Sequence, residues 1–253
     1  CIKFKRIIID EIINPKEYDV NDDIYDYKFK YPLTKLQQDT SAKVLSAIKE
    51  SDVMLEAVCG AGKTEIVVET ISTFLKAKKK VCYAIARREV VIELAQRFKV
   101  IFKDAKVATL CEGYYETKGD LIVCTTHQLY RYYGSFDLLI LDEVDAFPFK
   151  GDEGLENNAL NSLKDDGRII YSSATIDDYI KTFISKRKYQ IINLYKRPHG
   201  KDLIVPKIIY LPKYFIPIQG DYKMLIAHMR IAKSIGFNQN QIHIPENGEV
   251  IEI

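Results

Sequence analysis

Four short runs carry residue types that act on a charged substrate. Ala57-Val58-Cys59-Gly60-Ala61-Gly62-Lys63-Thr64 follows an apolar stretch and opens an amphipathic one. Gly60 and Gly62 let the backbone turn with its N–H groups facing inward and no Cβ in the way. A helix starting there adds a positive partial charge. Lys63 is placed to reach outer phosphates, and the Thr64 hydroxyl suits Mg²⁺. The run fits the phosphate-loop pattern G-x-x-x-x-G-K-[ST], with Ala57 at the first glycine position. Cys59, Gly60, Ala61, Gly62, Lys63 and Thr64 are therefore expected nucleotide contacts, with ATP and Mg²⁺ as the cofactors.

Phe136-Asp137-Leu138-Leu139-Ile140-Leu141-Asp142-Glu143-Val144-Asp145 reads as an apolar strand ending in carboxylates. A strand tip can present Asp142 to Mg²⁺ and Glu143 to the water that attacks a γ-phosphate. Lys63, Asp142 and Glu143 form the expected catalytic set, and Thr64 and Asp142 the expected metal ligands. Ser173-Ala174-Thr175 follows another apolar run. Its hydroxyls, Ser173 and Thr175, can bond the acidic run and report on the phosphate. Leu33-Thr34-Lys35-Leu36-Gln37 lies upstream of the phosphate loop; Gln37 there is either an adenine reader or a surface Gln behind a helix cap at Thr34.

Two more strand-end loops carry polar groups. Arg87 and Arg88 follow Ala84-Ile85-Ala86, and Thr125, Thr126 and His127 follow Cys124. Arg and Thr side chains at such loops suit contact with a nucleic-acid backbone, without sequence reading. The structural alternative for the arginines is an ion pair with Glu89 or Glu93. His127 suits a cap as well as a contact.

These groups need a scaffold that brings strand ends together. Short β-branched runs at 53–58, 81–85, 107–110, 121–124, 138–141 and 168–171 alternate with amphipathic runs, which predicts an α/β fold with a central, mainly parallel sheet flanked by helices. Val67, Ile71, Phe74 and Leu75 share one helical face, as do Val91, Leu94, Ala95 and Phe98. Lys76, Lys78, Lys79 and Lys80 end the first of these helices, and read as dipole compensation and solvation. The expected organisation is an N-terminal arm over 1–30, a RecA-like P-loop NTPase domain over 31–195, and a linker with the incomplete start of a second motor domain over 196–253. Pro198, Pro206, Pro212 and Pro217 mark that linker, and Met224-Leu225-Ile226-Ala227 is the candidate first strand beyond it.

Composition sets outer limits. With 47% hydrophobic residues the 253-residue chain is globular rather than disordered. A net charge of +2 confines any polyanion site to a local patch. None of the five cysteines forms a C-x-x-C pair. Cys59, Cys82 and Cys124 read as small core residues. No apolar run approaches the length of a membrane span, and no signal peptide is visible, so the expected compartment is the cytoplasm. The chain begins with Cys rather than Met, which suggests a start inside a longer product.

In order, the phosphate loop, acidic strand and Ser-Ala-Thr run resemble the motifs of superfamily 1 and 2 motors. Thr125-Thr126-His127-Gln128-Leu129 followed by Asp142-Glu143-Val144-Asp145-Ala146-Phe147-Pro148 is similar to the late-competence helicase family. So are Gly60-Ala61-Gly62-Lys63-Thr64-Glu65, Arg197-Pro198-His199-Gly200 and Pro206-Lys207, and the resemblance covers roughly residues 31–210. A replication-restart helicase is a weaker match. The resemblance implies an ATP-driven superfamily 2 DNA helicase or translocase that helps draw single-stranded DNA into a cell. It would work with a membrane uptake channel and other competence proteins, at the inner face of the membrane and without an integral membrane segment. Two departures stand beside it. The family's four-Cys zinc module is represented here by Cys1 alone, and its Gln-x-x-Gly-Arg-x-Gly-Arg arginine-finger motif is not found after residue 200. The chain alone is thus expected to bind Mg-ATP and turn it over slowly. The alternative is a non-catalytic, nucleotide-gated nucleic-acid-binding fragment.

Overall fold

In a sheet buried on both faces, alternation along each apolar run decides which layer a side chain joins. The computed structural model describes residues 27–29, 31–197, 214–216, 222–234 and 236–244. The chain divides into two compact units, Cys1–Asp202 and Leu203–Ile253. In the first unit the strands are β1 (Asp52–Ala57), β2 (Val81–Ile85), β3 (Val107–Cys111), β4 (Tyr114–Tyr115), β5 (Leu121–Thr125), β6 (Phe136–Asp142), β7 (Leu163–Ser173) and β8 (Tyr189–Leu194). They form one sheet in the order β4-β3-β5-β2-β6-β7-β1-β8, with only the short edge strand β4 antiparallel to its neighbour.

The helices are α1 (Lys35–Ala47), α2 (Lys63–Lys76), α3 (Arg88–Ile101), α4 (Glu153–Asn161) and α5 (Asp178–Ile184). Val53, Leu55 and Ala57 of β1, Val81, Tyr83 and Ile85 of β2, and Leu138 and Ile140 of β6 pack with the apolar faces of α1, α2 and α3. Met54, Cys82, Ala84, Leu139 and Leu141 face the other way, against residues of α4, α5 and the 3₁₀ turn Thr126–Arg131. Asp142 continues the Leu138–Ile140 parity, so β6 ends with its carboxylate on the side covered by α2. Phe136 breaks that parity and lies in the opposite layer; a register shift between Phe136 and Leu138 accounts for it.

Asp52 pins the amino end of β1 to two neighbours. It is 1% exposed. Its Oδ1 accepts from the Ile169 N–H at 3.0 Å, and its Oδ2 from Arg187 Nε at 2.5 Å.

All six expected strands are present, and the α2 and α3 faces are buried as expected except Phe74, which is half-buried. Several expectations are corrected. Strands β4 and β8 lack strong apolar runs, and β7 starts five residues early through Lys164-Asp165-Asp166-Gly167. That polar stretch stays in the sheet partly because Gly167 lets the Phe136 carbonyl come close; a Cβ there would stand 2.7 Å from it. Lys80 is buried, not solvated, and its N–H donates to Asp137 Oδ2 at 2.7 Å. Cys82 and Cys124 are buried, but Cys59 is exposed on the phosphate loop.

In the second unit, Met224-Leu225-Ile226-Ala227 belongs to helix α6 (Tyr222–Ser234), not a strand. Its burial recurs at Leu225, Ile226, Met229 and Ala232, the three-to-four spacing of a helix. Phe215 bridges Ile242 there and packs on Phe237. The arm over 1–26, the Pro198–Gly200 run and the segment holding Pro206, Lys207 and Pro212 lie outside the described residues, as do Cys1 and Pro217.

Candidate nucleotide-binding site

Open parallel sheets bind ligands at the carboxyl ends of their strands, and the motif residues gather there. After β1 the chain turns into α2 through residues 58–62, with the Ala61 N–H donating to the Val58 carbonyl at 3.0 Å. Gly60 and Gly62 have φ of 76° and 85°, a left-handed backbone that favours glycine. Gly62 is constrained twice, because a Cβ there would stand 2.4 Å from Gln37 Nε2. Lys63 and Thr64 are the first two residues of α2.

Of the structural alternative for the upstream run, the helix cap is present and the surface Gln is not. Thr34 caps α1, and the Gln37 side chain completes the capping box by accepting from the Thr34 N–H at 3.0 Å. Gln37 is nonetheless buried rather than a surface residue, and its Nε2 donates to the Ala61 carbonyl at 3.0 Å. It thereby ties α1 to the phosphate loop.

The acidic run is held residue by residue. Asp142 Oδ1 accepts from the Glu143 N–H at 2.9 Å, and Oδ2 from the Tyr83 hydroxyl at 2.6 Å. Burial, then the charge of Asp142, pushes the Tyr83 phenol well above its ordinary pKa, while a hydrogen bond from Thr64 pulls the other way. Tyr83 therefore stays protonated and donates at neutral pH. Glu143 has a φ of 54°, a conformation that costs a side-chain-bearing residue about 1–3 kcal/mol. Its Oε1 accepts from Arg87 Nη2 at 2.6 Å. Asp145 Oδ2 accepts from the Thr175 hydroxyl at 3.2 Å, and Ser173 Oγ donates to the Thr175 carbonyl at 2.6 Å. The Ser-Ala-Thr turn thus touches the acidic run.

The two arginines part company. Arg87 reaches Glu143, whereas Arg88 Nε donates to the Glu112 carbonyl at 2.8 Å and its guanidinium lies 3.5 Å from Glu89. Thr125 precedes the 3₁₀ turn and is half-buried. Thr126 is 1% exposed, with its hydroxyl turned inward and unpartnered. His127 is exposed.

Three contributors escaped the motif reading. Tyr83 sits in an apolar strand and looks like core. Arg197 lies far along the chain, yet its Nε donates to the Cys59 carbonyl at 3.0 Å. Ser172 pairs in register with Asp142, and its buried hydroxyl has no partner.

These residues fit a Mg²⁺-nucleotide. The donors are oxygens, the class Mg²⁺ prefers, and Mg²⁺ is usually held by one or two protein groups together with substrate phosphates. The unpartnered Ser172 hydroxyl beside Asp142 and the glycine cradle at 60–62 leave polar capacity where phosphate and its cation belong.

Comparison with known proteins agrees with this geometry. Residues 34–183 match the family model described as DEAD/DEAH box helicase, more than half of the chain. The chain is 35% identical over 220 residues to competence protein ComFA of Streptococcus pneumoniae, covering 85% of this chain and 50% of that protein. It is 35% identical over 182 residues to competence protein ComFA of Bacillus subtilis, covering 70% and 39%. The chain therefore spans about half the length, or less, of these relatives. A hypothetical ATP-dependent RNA helicase from Sulfolobus tokodaii shares the fold, with a TM-score of 0.52 and 20% identity over 79% of this chain and 61% of that one. The motif order, the RecA-like sheet and the family match converge: the chain belongs to the DEAD/DEAH box helicase family and is ComFA-like within it.

Proposed function

We propose that this chain is the ATP-binding part of a motor that couples ATP hydrolysis to movement on single-stranded DNA. The observation that carries the reading is that the three carboxylates at the end of the acidic run bond three different residues: Asp142 accepts from Tyr83, Glu143 from Arg87, and Asp145 from Thr175. Nucleotide state and strand contact therefore meet on four consecutive residues.

In this reading Lys63, the N–H groups of Cys59, Gly60 and Gly62 and the dipole of α2 bind the phosphates, and Gln37 reads the base. Bound Mg²⁺, held by Thr64 and Asp142, would supply charge neutralisation at the β- and γ-oxygens. Glu143 accepts the proton of the attacking water. Ser173 and Thr175 carry the phosphate state to the strand-facing loops. Arg87, Arg88 and Thr125, with the backbone of Thr126, contact the nucleic-acid backbone; Arg87 links that contact to the base that activates water. The names of the two relatives support a competence role; in this reading that role is DNA uptake with a membrane channel and other competence proteins at the cytoplasmic face. No helix of the described residues is long and apolar enough to cross a membrane.

Fluorescence anisotropy with labelled single-stranded DNA, with and without a non-hydrolysable ATP analogue across a salt series, tests the reading. Affinity should change with nucleotide and fall with salt. Arg87→Ala should flatten the log–log salt slope by about 0.7, one single-strand phosphate contact, and weaken the response to nucleotide. Binding that ignores both salt and nucleotide, or an Arg87→Ala slope equal to wild type, would count against it. Stronger competition by RNA of the same sequence would reassign the substrate.

A further inference from the structure

The two side chains expected to hold the cation come from different elements. Thr64 rides on the first turn of α2, and Asp142 ends β6. Among the strand pairings, β1, which leads into α2, pairs with β7 and β8 and not with β6, so the sheet ladder alone does not fix their separation. Tyr83 comes from a third element, β2, which pairs directly with β6 and places Tyr83 opposite Ile140. Its ring is 1% exposed and packs on Phe98 of α3 at a centroid distance of 5.4 Å, and Phe98 in turn packs on Phe102. Ring packing of this kind fixes where the hydroxyl ends. That hydroxyl donates to Asp142 Oδ2 at 2.6 Å.

We propose that Tyr83 is a positioning residue for the divalent cation of the nucleotide site, holding the Asp142 carboxylate in place before the cation arrives. The proposal rests on the reading of this edge as a Mg²⁺-nucleotide site. The bond polarities suit the task. Tyr83 gives its proton to Oδ2, and the Glu143 N–H occupies Oδ1, so the carboxylate cannot swing about its own axis. Preorganised oxygens of this kind raise metal affinity without touching the metal, as outer partners of metal ligands generally do. A Val or Leu at this strand position would fill the same core and would not hold the carboxylate.

The test compares Tyr83→Phe with wild type and with Tyr171→Phe, which removes a buried phenol from β7 outside the site. Mn²⁺ serves as the probe, its affinity in the presence of ADP read by electron paramagnetic resonance. Binding of fluorescent ADP in chelator gives the metal-free reference. Tyr83→Phe should bind Mn²⁺ about tenfold more weakly, the worth of one hydrogen bond to a charged group, with metal-free ADP affinity unchanged. Tyr171→Phe should match wild type in both. Unchanged Mn²⁺ affinity in Tyr83→Phe overturns the proposal, as does an equal loss in Tyr171→Phe or a parallel loss of metal-free ADP binding. Wild-type protein that binds ADP in neither condition overturns the nucleotide-site reading itself, and this proposal with it.

Discussion

Glu143→Gln is expected to lower ATP turnover by roughly 10²–10⁴-fold, the usual worth of a general base, while ATP stays bound. The substitution keeps side-chain shape and leaves an amide oxygen that still accepts from Arg87 Nη2, so the 2.6 Å contact and the strained backbone at φ 54° have no reason to change. What is lost is the ability to take a proton from water. Asp142, whose two oxygens are held by Tyr83 and the Glu143 N–H, is untouched, so the metal-binding edge remains. Single-turnover hydrolysis of radiolabelled ATP, read beside filter binding of the same nucleotide, separates the two effects. Turnover equal to wild type would remove Glu143 from its role, and loss of binding would recast it as a structural residue.

The second large effect falls on stability. Asp52→Ala should destabilise the first unit by about 3 kcal/mol. Cutting one partner from a buried ion pair costs about 3–5 kcal/mol. The lower end applies because the Arg187 side chain is 29% exposed and can recover some water. The Ile169 N–H also loses its acceptor inside the sheet. For a unit of this size the melting temperature should fall by roughly 6–12 °C, measured by differential scanning calorimetry. Asp52 lies at the amino end of β1, away from the phosphate loop, so nucleotide affinity in the cold should hold. A shift below about 2 °C would mean that Asp52 is not a clamp.

Candidate site residues were legible in the sequence where backbone geometry forces residue type. Gly60 and Gly62 take the left-handed backbone that favours glycine, and the continuous apolar run ending in Asp142 is a buried strand with a carboxylate at its tip. The same physics hid Tyr83. In a strand buried on both faces, an aromatic residue reads as filling, and nothing local shows that its hydroxyl meets a carboxylate 59 positions away. Arg197 stood out only as part of a family-like run, because its contact with the Cys59 carbonyl spans 138 positions. Arg87 was singled out for its loop, and the ion-pair alternative placed its partner within the next turns, at Glu89 or Glu93. Glu143 is its partner because β2 and β6 are neighbours in the sheet, a fact of topology rather than spacing. Helix α6 misread as a strand shows the reverse error: four consecutive apolar residues carry no period, and only the recurrence at Met229 and Ala232 reveals the helix.

The central claim is that the strand-edge constellation is a Mg²⁺-nucleotide site, and isothermal titration of a non-hydrolysable ATP analogue in Mg²⁺ tests it most directly. The account predicts saturable binding to the wild-type chain and its loss in Lys63→Ala, with both proteins folded by circular dichroism. Folded wild-type protein that takes up no nucleotide, or Lys63→Ala protein that binds it as tightly as wild type, would contradict the account.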